Sequence, residues 1–154
     1  PGAFAWAWQH HPADFYYLVY DSLMVNNPLP VRDKAFSTVR WFANGWGWDA
    51  SGVELSVWGG KQLASIGIPC PGRFRGVAGP MWFCDREVME RLDEAGFWTL
   101  LPADKYECCA MERVAGIVFE HLGLDVTDSL QGQHFGHFDH YPDEFVTKLN
   151  MDRM

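Results

Sequence analysis

The stretch DREVMERLDEAGFWTLL, residues 85–101, carries a helix pattern together with the signals for both of its ends. Asp85 is a favourable N-cap residue. The apolar side chains that follow on one helical face are Val88, Met89 and Leu92. Gly96 stands where a left-handed cap ends a helix. The stretch therefore predicts a helix over residues 85–95 and a strand over residues 97–101, where the apolar run FWTLL follows the glycine.

A second strong helix pattern lies C-terminal to this stretch, over residues 107–122. Its apolar face consists of Met111, Val114, Ala115, Val118, Phe119 and Leu122. Gly123 follows as the expected stop. Residues 143–150, DEFVTKLN, predict a final short helix. Residues 107–150 are therefore expected to form a C-terminal helical section.

The patterns that precede residue 85 are shorter. Residues 32–44 place apolar side chains on one helical face and predict a helix. The alternation over residues 53–57 predicts a short strand that ends at the following glycine pair, and residues 61–66 predict a short helix. Residues 67–80 hold four glycines and three prolines, which predicts a loop or a hairpin tip.

The N-terminal region is rich in aromatic residues. Phe4, Trp6 and Trp8 alternate with small residues, and this period of two predicts an extended arm over residues 1–12. Residues 13–25 fit either a strand through residues 16–20 or a short helix.

Together these elements predict an α+β fold with three to four helices and a small antiparallel sheet. The content of 48% hydrophobic and 21% charged residues is that of a folded protein and argues against disorder. The sequence shows neither an internal repeat nor a linker, so residues 1–154 are expected to form a single domain.

The residues Leu92, Ala95, Gly96, Phe97 and Trp98 form a helix–glycine–aromatic junction. With the elements before it, this junction makes residues 32–101 resemble a winged-helix DNA-binding domain of bacterial and phage replication or regulatory proteins. The resemblance implies DNA binding, with the basic loop Arg73-Phe74-Arg75 acting as a wing on phosphates or the minor groove. The helix departs from this pattern because it carries the acids Glu87, Glu90, Asp93 and Glu94, which repel phosphate.

Composition limits the classes of partner. The net charge of −8, from 12 basic and 20 acidic side chains, disfavours unspecific binding to nucleic acid or anionic membranes. Residues 30–92 hold eight basic and six acidic groups, so a polyanion is expected to bind there if anywhere. Apolar runs stay well short of the roughly 18 residues of a membrane span. The four cysteines fit no disulfide framework and are expected to be reduced, which predicts a cytoplasmic protein.

The predicted binding residues are aromatic and basic. Trp46 and Trp48 lie in the turn-rich loop GWGWDASG, where a large ring is hard to bury completely. Exposed rings suit a protein partner or stacked bases, and the alternative is that they cover the core. The basic middle section adds Lys61, Arg73, Phe74 and Arg75. The sequence therefore predicts a small non-enzymatic regulatory or binding protein that acts through an aromatic surface on a protein partner or nucleic acid.

The segment HFGHFDHYPD, residues 134–143, is the second candidate site. Its candidate ligands for zinc or another divalent metal are His134, His137, His140 and Asp139. A metal-dependent enzyme built on this segment is the alternative function. The spacing matches no standard metal motif, so a solvated surface loop and a pH-sensitive surface are the other interpretations. We predict no catalytic residues elsewhere and expect no other cofactor.

Overall fold

A computed structural model of the protein describes residues 2–18, 23–25, 36–38, 53–74, 76–77, 82–124, 126–128 and 146–148. The described residues contain four α-helices: α1 (Gly2–His10), α2 (Val53–Ser65), α3 (Arg86–Glu94) and α4 (Lys105–His121). They also contain a 3₁₀ helix, Phe97–Thr99, between α3 and α4. The strands are β1 (Phe15–Leu18), β2 (Leu23–Val25), β3 (Phe36–Thr38), β4 (Trp82–Asp85), β5 (Val126–Asp128) and β6 (Val146–Lys148).

The strands form two sheets within the described residues. The larger has the order β1-β4-β3-β5, in which β4 pairs antiparallel with β1 and β3, while β3 and β5 are parallel. The smaller is the antiparallel pair of β2 and β6. The fold is α+β, as predicted from the sequence. The strand predicted as one of two alternatives for residues 16–20 is present as β1.

Helix α3 forms where its end signals predict it. The Asp85 side chain accepts a hydrogen bond from the Val88 amide at 2.9 Å, which satisfies one of the free N–H groups of the first turn. Val88, Met89 and Leu92 are buried. Gly96 follows the helix with a φ of +76°, the left-handed conformation that favours glycine.

The predicted strand over residues 97–101 is wrong, because Phe97–Thr99 form a 3₁₀ helix. The Thr99 amide and its hydroxyl both donate to the Gly96 carbonyl, at 3.0 and 2.7 Å, and so continue the turn. Phe97 and Trp98 are both buried, although consecutive residues of a strand point to opposite faces. The tight turn lets two adjacent rings enter the same core.

Helix α4 confirms the helix predicted for residues 107–122. It begins at Lys105, two residues before the predicted start. Asp104 caps it by accepting a hydrogen bond from the Glu107 amide at 2.9 Å. The helix ends before Gly123, which has a φ of +62°. Its buried stretch runs from residue 113 to residue 119, so all sides of its centre are covered by other parts of the protein.

The strand predicted for residues 53–57 is wrong, because these residues begin helix α2. Val57, a member of the alternating set, is exposed, whereas Gly59 and Leu63, one helical turn apart, are buried. The glycine pair costs helix propensity, about 1 kcal/mol for each residue, and packing against α4 offsets that cost. The short helix predicted for residues 61–66 is the C-terminal part of α2.

The extended arm predicted for residues 1–12 is also wrong, since Gly2–His10 form helix α1. Ala5 and Trp8, spaced by one helical turn, pack against the core. The aromatic alternation therefore places Trp6 and Trp8 on different sides of a helix and does not mark the faces of a strand.

Two predicted helices are strands where the structure describes them. Phe36–Thr38, within the predicted helix 32–44, pair with β4 and β5, and Val146–Lys148, within the predicted helix 143–150, pair with β2. In both segments, backbone hydrogen bonds to distant parts of the chain outweigh the local apolar periodicity. The remainder of the two predicted helices lies outside the described residues.

The core lies between α2, α3, α4 and the inner face of the larger sheet. The rings of Phe97 and Phe119 lie 5.9 Å apart at its centre. The largest side chains with almost no exposed surface are Phe97, Phe119, Leu63, Met89, Leu92, Leu100, Val77, Val114 and Val118.

Two glycine substitutions test the turn that follows α3. Gly96→Ala and Gly123→Ala both place a Cβ at positive φ, which costs about 1–2 kcal/mol. The added Cβ at Gly96 lies 3.1 Å from Cγ2 of Ile66, whereas nothing lies within 4 Å at Gly123. We expect Gly96→Ala to lower the free energy of unfolding more than Gly123→Ala in urea titrations. Equal losses would show that Ile66 moves aside without cost.

Candidate binding surface

The predicted binding residues are not gathered in one described surface. Lys61 on α2 and Arg73 are exposed. Trp46, Trp48 and Arg75 lie outside the described residues. The structure therefore brings two basic side chains to the surface, and the predicted role of the two tryptophans stays a prediction.

Phe74 does not belong to a binding surface. Only 3% of it is exposed, and it is part of the hydrophobic core. Nearby, the Val77 amide donates to the Glu112 carbonyl of α4 at 2.8 Å, which holds this segment against the helix. The assignment of Phe74 as a partner-contacting residue is therefore wrong, because its ring faces inward while the neighbouring Arg73 faces solvent.

The candidate metal ligands His134, His137, Asp139 and His140 also lie outside the described residues. Within the part of the chain that the structure describes, no group of three or more His, Cys, Asp and Glu side chains is arranged to hold a metal ion. A metal site in the histidine-rich segment stays a prediction.

Trp6, His10 and His11 form an exposed aromatic cluster at the C-terminal end of α1. Trp6 is 54% exposed, and its ring stacks on that of His10, with centroids 4.8 Å apart and planes inclined by 14°. His11 lies against the same ring at 5.0 Å. Nδ1 of His10 donates to the Trp6 carbonyl at 2.9 Å, one helical turn back. We call these three residues the Trp6 platform.

Tyr16 holds the chain next to the Trp6 platform through two hydrogen bonds of its hydroxyl. Its hydroxyl donates to the His11 carbonyl at 3.3 Å and accepts from the Ala13 amide at 2.9 Å. Tyr16 is buried, and its ring meets Trp8 edge-on at 5.8 Å. The platform is therefore attached to the core at the point where α1 ends and β1 begins.

Trp8 joins α1 to α3. Its Nε1 donates to Oδ2 of Asp93 at 3.3 Å, and the Arg86 guanidinium lies 5.9 Å from the ring centroid. The two partners are seven residues apart, about two helical turns, so they belong to the same flank of α3. The indole of Trp8 therefore makes two contacts with α3, a hydrogen bond to a carboxylate and a cation–π contact with a guanidinium.

The solvent side of α3 is acidic. Glu87, Glu90 and Glu94, spaced by three and four residues, are exposed on the side opposite the buried stripe. We call them the acidic ridge. The two arginines of α3 lie to either side of it: Arg86 contacts the Trp8 ring, and Nη2 of Arg91 donates to the Leu122 carbonyl at the end of α4. The cations of this helix are therefore directed to neighbouring elements and away from the ridge.

Two of the four cysteines, Cys84 and Cys109, lie in surroundings that disfavour the thiolate. Burial, reinforced by Asp85, raises the pKa of the Cys84 thiol far above its ordinary value. Burial, followed by Glu112, also raises the pKa of Cys109. Since the thiolate is the reactive form, both thiols are poor nucleophiles at neutral pH.

Arg113 is the one charged side chain buried among the described residues, at 6% exposure. Its Nη1 donates to the Cys109 carbonyl at 2.6 Å, one turn earlier in α4. Burial lowers its pKa, which Glu112 partly counteracts. An arginine enclosed in this way is held by its own helix and is not exposed to a partner.

Known proteins offer no guide to the function. The chain matches no family model, and neither a curated protein nor a solved structure is significantly similar to it. Among the described helices, none combines the length and the apolar composition needed to cross a bilayer.

Sequence reasoning missed the Trp6 platform and the acidic ridge as surfaces. The signal for the platform was the spacing of Trp6 and His10 by four residues, which a helix turns into a stack. In an extended arm these two residues would lie far apart, so the prediction of an arm gave no indication of the stack. The acids of α3 were noticed only as a departure from DNA recognition.

Phe74→Ala and Arg73→Ala distinguish the two neighbouring side chains. We expect Phe74→Ala to lower the free energy of unfolding by about 3–5 kcal/mol, because it leaves a cavity in the core. Arg73→Ala, at an exposed position, should change it by less than about 0.5 kcal/mol. Thermal unfolding followed by circular dichroism measures both changes. A small loss of stability for Phe74→Ala would contradict the burial of this ring.

Thiol titration tests the cysteine environments. In the native protein at neutral pH we expect Ellman's reagent to modify the exposed Cys70 and Cys108 first and to leave Cys84 intact, because that thiol is buried and protonated. Peptide mapping identifies the modified positions. In urea all four should react, and rapid native labelling of Cys84 would contradict its burial.

Proposed function

We propose that this protein is a small non-enzymatic regulatory or binding protein that acts through an exposed aromatic surface on a protein partner. The observation that carries the proposal is the Trp6 platform. Trp6 keeps half of its surface in solvent while its ring is held by two neighbouring rings. A large, rigid, exposed aromatic side chain is a favourable anchor for protein binding, since little side-chain entropy is lost when it is covered.

Trp46 and Trp48 extend the proposal to the central loop, as a second set of aromatic contacts. The nucleic-acid version of the function, and with it the winged-helix resemblance, draws support from the exposed cations Lys61 and Arg73. The acidic ridge opposes that version, because the helix that would enter the major groove presents carboxylates. A protein partner is therefore the form of the proposal that the described side chains favour.

The proposal includes a reducing, cytoplasmic setting. Its support is the state of the four cysteines, which form no disulfide with one another, with Cys70 and Cys108 exposed. Free exposed thiols persist where glutathione and thioredoxin keep them reduced.

Affinity capture from a lysate of the native host, with and without nuclease treatment, tests the proposal. We expect Trp6→Ala, and separately the double variant Trp46→Ala/Trp48→Ala, to lose a protein that the unaltered chain retains after nuclease treatment. Tyr106→Ala is the matched control, because Tyr106 is 75% exposed and lies on α4, on a different helix from the platform. It should capture the same proteins as the unaltered chain.

Melting temperatures show whether a variant that no longer captures the partner is still folded. Trp6→Ala should change the free energy of unfolding by less than about 1 kcal/mol, since the ring is half exposed. The protein-binding function would be overturned if all variants captured the same proteins. It would also be overturned if nuclease treatment abolished capture.

A further inference from the structure

Helix α1 packs against the rest of the protein through few side chains. Of its described side chains, from Ala5 to His10, none is buried, whereas α3 and α4 each contribute several buried residues. Among these described side chains, Ala5 and Trp8 pack against the hydrophobic core, and both are partly buried. Because alanine offers a single methyl group, the attachment of α1 to the core depends on the indole of Trp8.

The contacts of Trp8 extend to α3 and to β1. Its Nε1 donates to the Asp93 carboxylate at 3.3 Å, and the Arg86 guanidinium lies 5.9 Å from the centre of its ring. The same ring meets that of Tyr16 edge-on at 5.8 Å. We call these three contacts the Trp8 anchor. Since Asp93 is exposed, water competes for its carboxylate, and each contact contributes a modest part of the attachment.

The chain that follows α1 is held by contacts of its own. The Tyr16 hydroxyl donates to the His11 carbonyl and accepts from the Ala13 amide, while the Arg86 amide donates to the Asp14 carbonyl at 3.0 Å. Strand β1 begins at the next residue and pairs with β4. These hydrogen bonds do not involve the helix, so α1 can leave α3 while the sheet stays intact.

A detached α1 would not stay helical. The helix has nine residues, and isolated helices shorter than about 12–15 residues are marginal in water. Its aromatic residues Phe4, Trp6 and Trp8 also have a lower helix propensity than alanine or leucine. The stack of Trp6 on His10 needs the helix, because Nδ1 of His10 donates to a carbonyl one turn back. The Trp6 platform therefore exists while α1 is docked and is lost when α1 detaches.

We infer that the Trp8 anchor controls the Trp6 platform, because α1 alternates between a docked helix that presents the platform and a detached, unfolded segment that does not. The inference rests on the proposed function, since it describes the regulation of the same aromatic surface. Asp93 and Arg86 belong to α3 and not to the platform, so α3 determines how often the platform is presented. A partner that covers Trp6 binds the docked form and shifts α1 towards it.

Hydrogen exchange of the full chain, measured residue by residue in increasing urea below the unfolding transition, tests the detachment. We expect the hydrogen-bonded amides of α1 to be protected roughly a hundredfold less than the buried amides of α4, because α1 opens without global unfolding. Their exchange should also respond little to urea, since detachment exposes little surface. If α1 shared both the protection and the urea dependence of α4, the inference would be overturned.

Matched variants of α3 test the anchor. Asp93→Ala removes the acceptor of the indole N–H and should lower the protection of the α1 amides about three- to tenfold. Glu94→Ala removes the same charge from the next exposed position and should leave that protection unchanged within about twofold. In a Trp8→Phe background, which lacks the indole N–H, Asp93→Ala should have no further effect. Equal losses for Asp93→Ala and Glu94→Ala would show that the anchor does not hold α1.

The ring protons of His10 report on the platform itself. In the docked helix they lie beside the indole of Trp6, whose ring current shifts their resonances upfield. We expect Trp8→Ala to move them towards the values of a free imidazole and to leave those of His121, exposed on α4, in place. Unchanged His10 resonances in Trp8→Ala would overturn the control of the platform by the anchor. Asp93→Ala, at an exposed site, tests the anchor in a folded chain whatever Trp8→Ala does to stability.

The capture experiment separates the failure of this inference from that of the proposed function. If Trp6→Ala abolishes capture while α1 exchanges together with α4, the inference fails and the proposed function stands. If α1 detaches as described and every tryptophan variant captures the same proteins as the unaltered chain, the proposed function fails and the detachment stands.

Discussion

At Gly96 the chain reverses direction with a backbone φ of +76°, and the packing of the core depends on this turn. Immediately after it, Phe97 and Trp98 fold back beneath α3, where Phe97 meets Phe119 of α4. Ile66, which follows α2, lies close to the glycine, and a Cβ at this position would lie only 3.1 Å from its Cγ2. The glycine thus lies where the end of α3, the 3₁₀ helix and the residue that follows α2 come together.

Sequence reasoning succeeded where the structural signals are local. Asp85 and Gly96 define α3, and Gly123 ends α4, because such end signals act between residues a few positions apart. The Asp104 cap was not predicted, and the predicted start of α4 was therefore two residues late. It failed where the deciding contacts are distant. Strand β3 exists because β4 and β5 pair with it, and α2 tolerates two glycines because α4 covers it. No periodicity within a short window reveals such contacts.

The residues of the candidate site also divide into those that the sequence could predict and those that it could not. Arg73 and Lys61 are exposed, as charged residues usually are, but the inward orientation of the adjacent Phe74 depends on a core assembled from other segments. The Trp6 platform depends on a helical spacing that an alternating pattern hides. Burial of a single aromatic ring is decided by tertiary packing, which the sequence around that ring does not show.

Strand β1 pairs with β4 across most of the N-terminal half of the chain, with Phe15 opposite Asp85 and the Arg86 amide donating to the Asp14 carbonyl at 3.0 Å. Closing so long a loop is entropically costly and makes this pairing slow compared with the formation of α3 or α4. During synthesis the N-terminal helix must wait until residues beyond 93 have left the ribosome before Trp8 can meet Asp93. The hydrogen bond between Trp8 and Asp93, which joins residues 85 positions apart, therefore distinguishes the finished protein from its nascent forms.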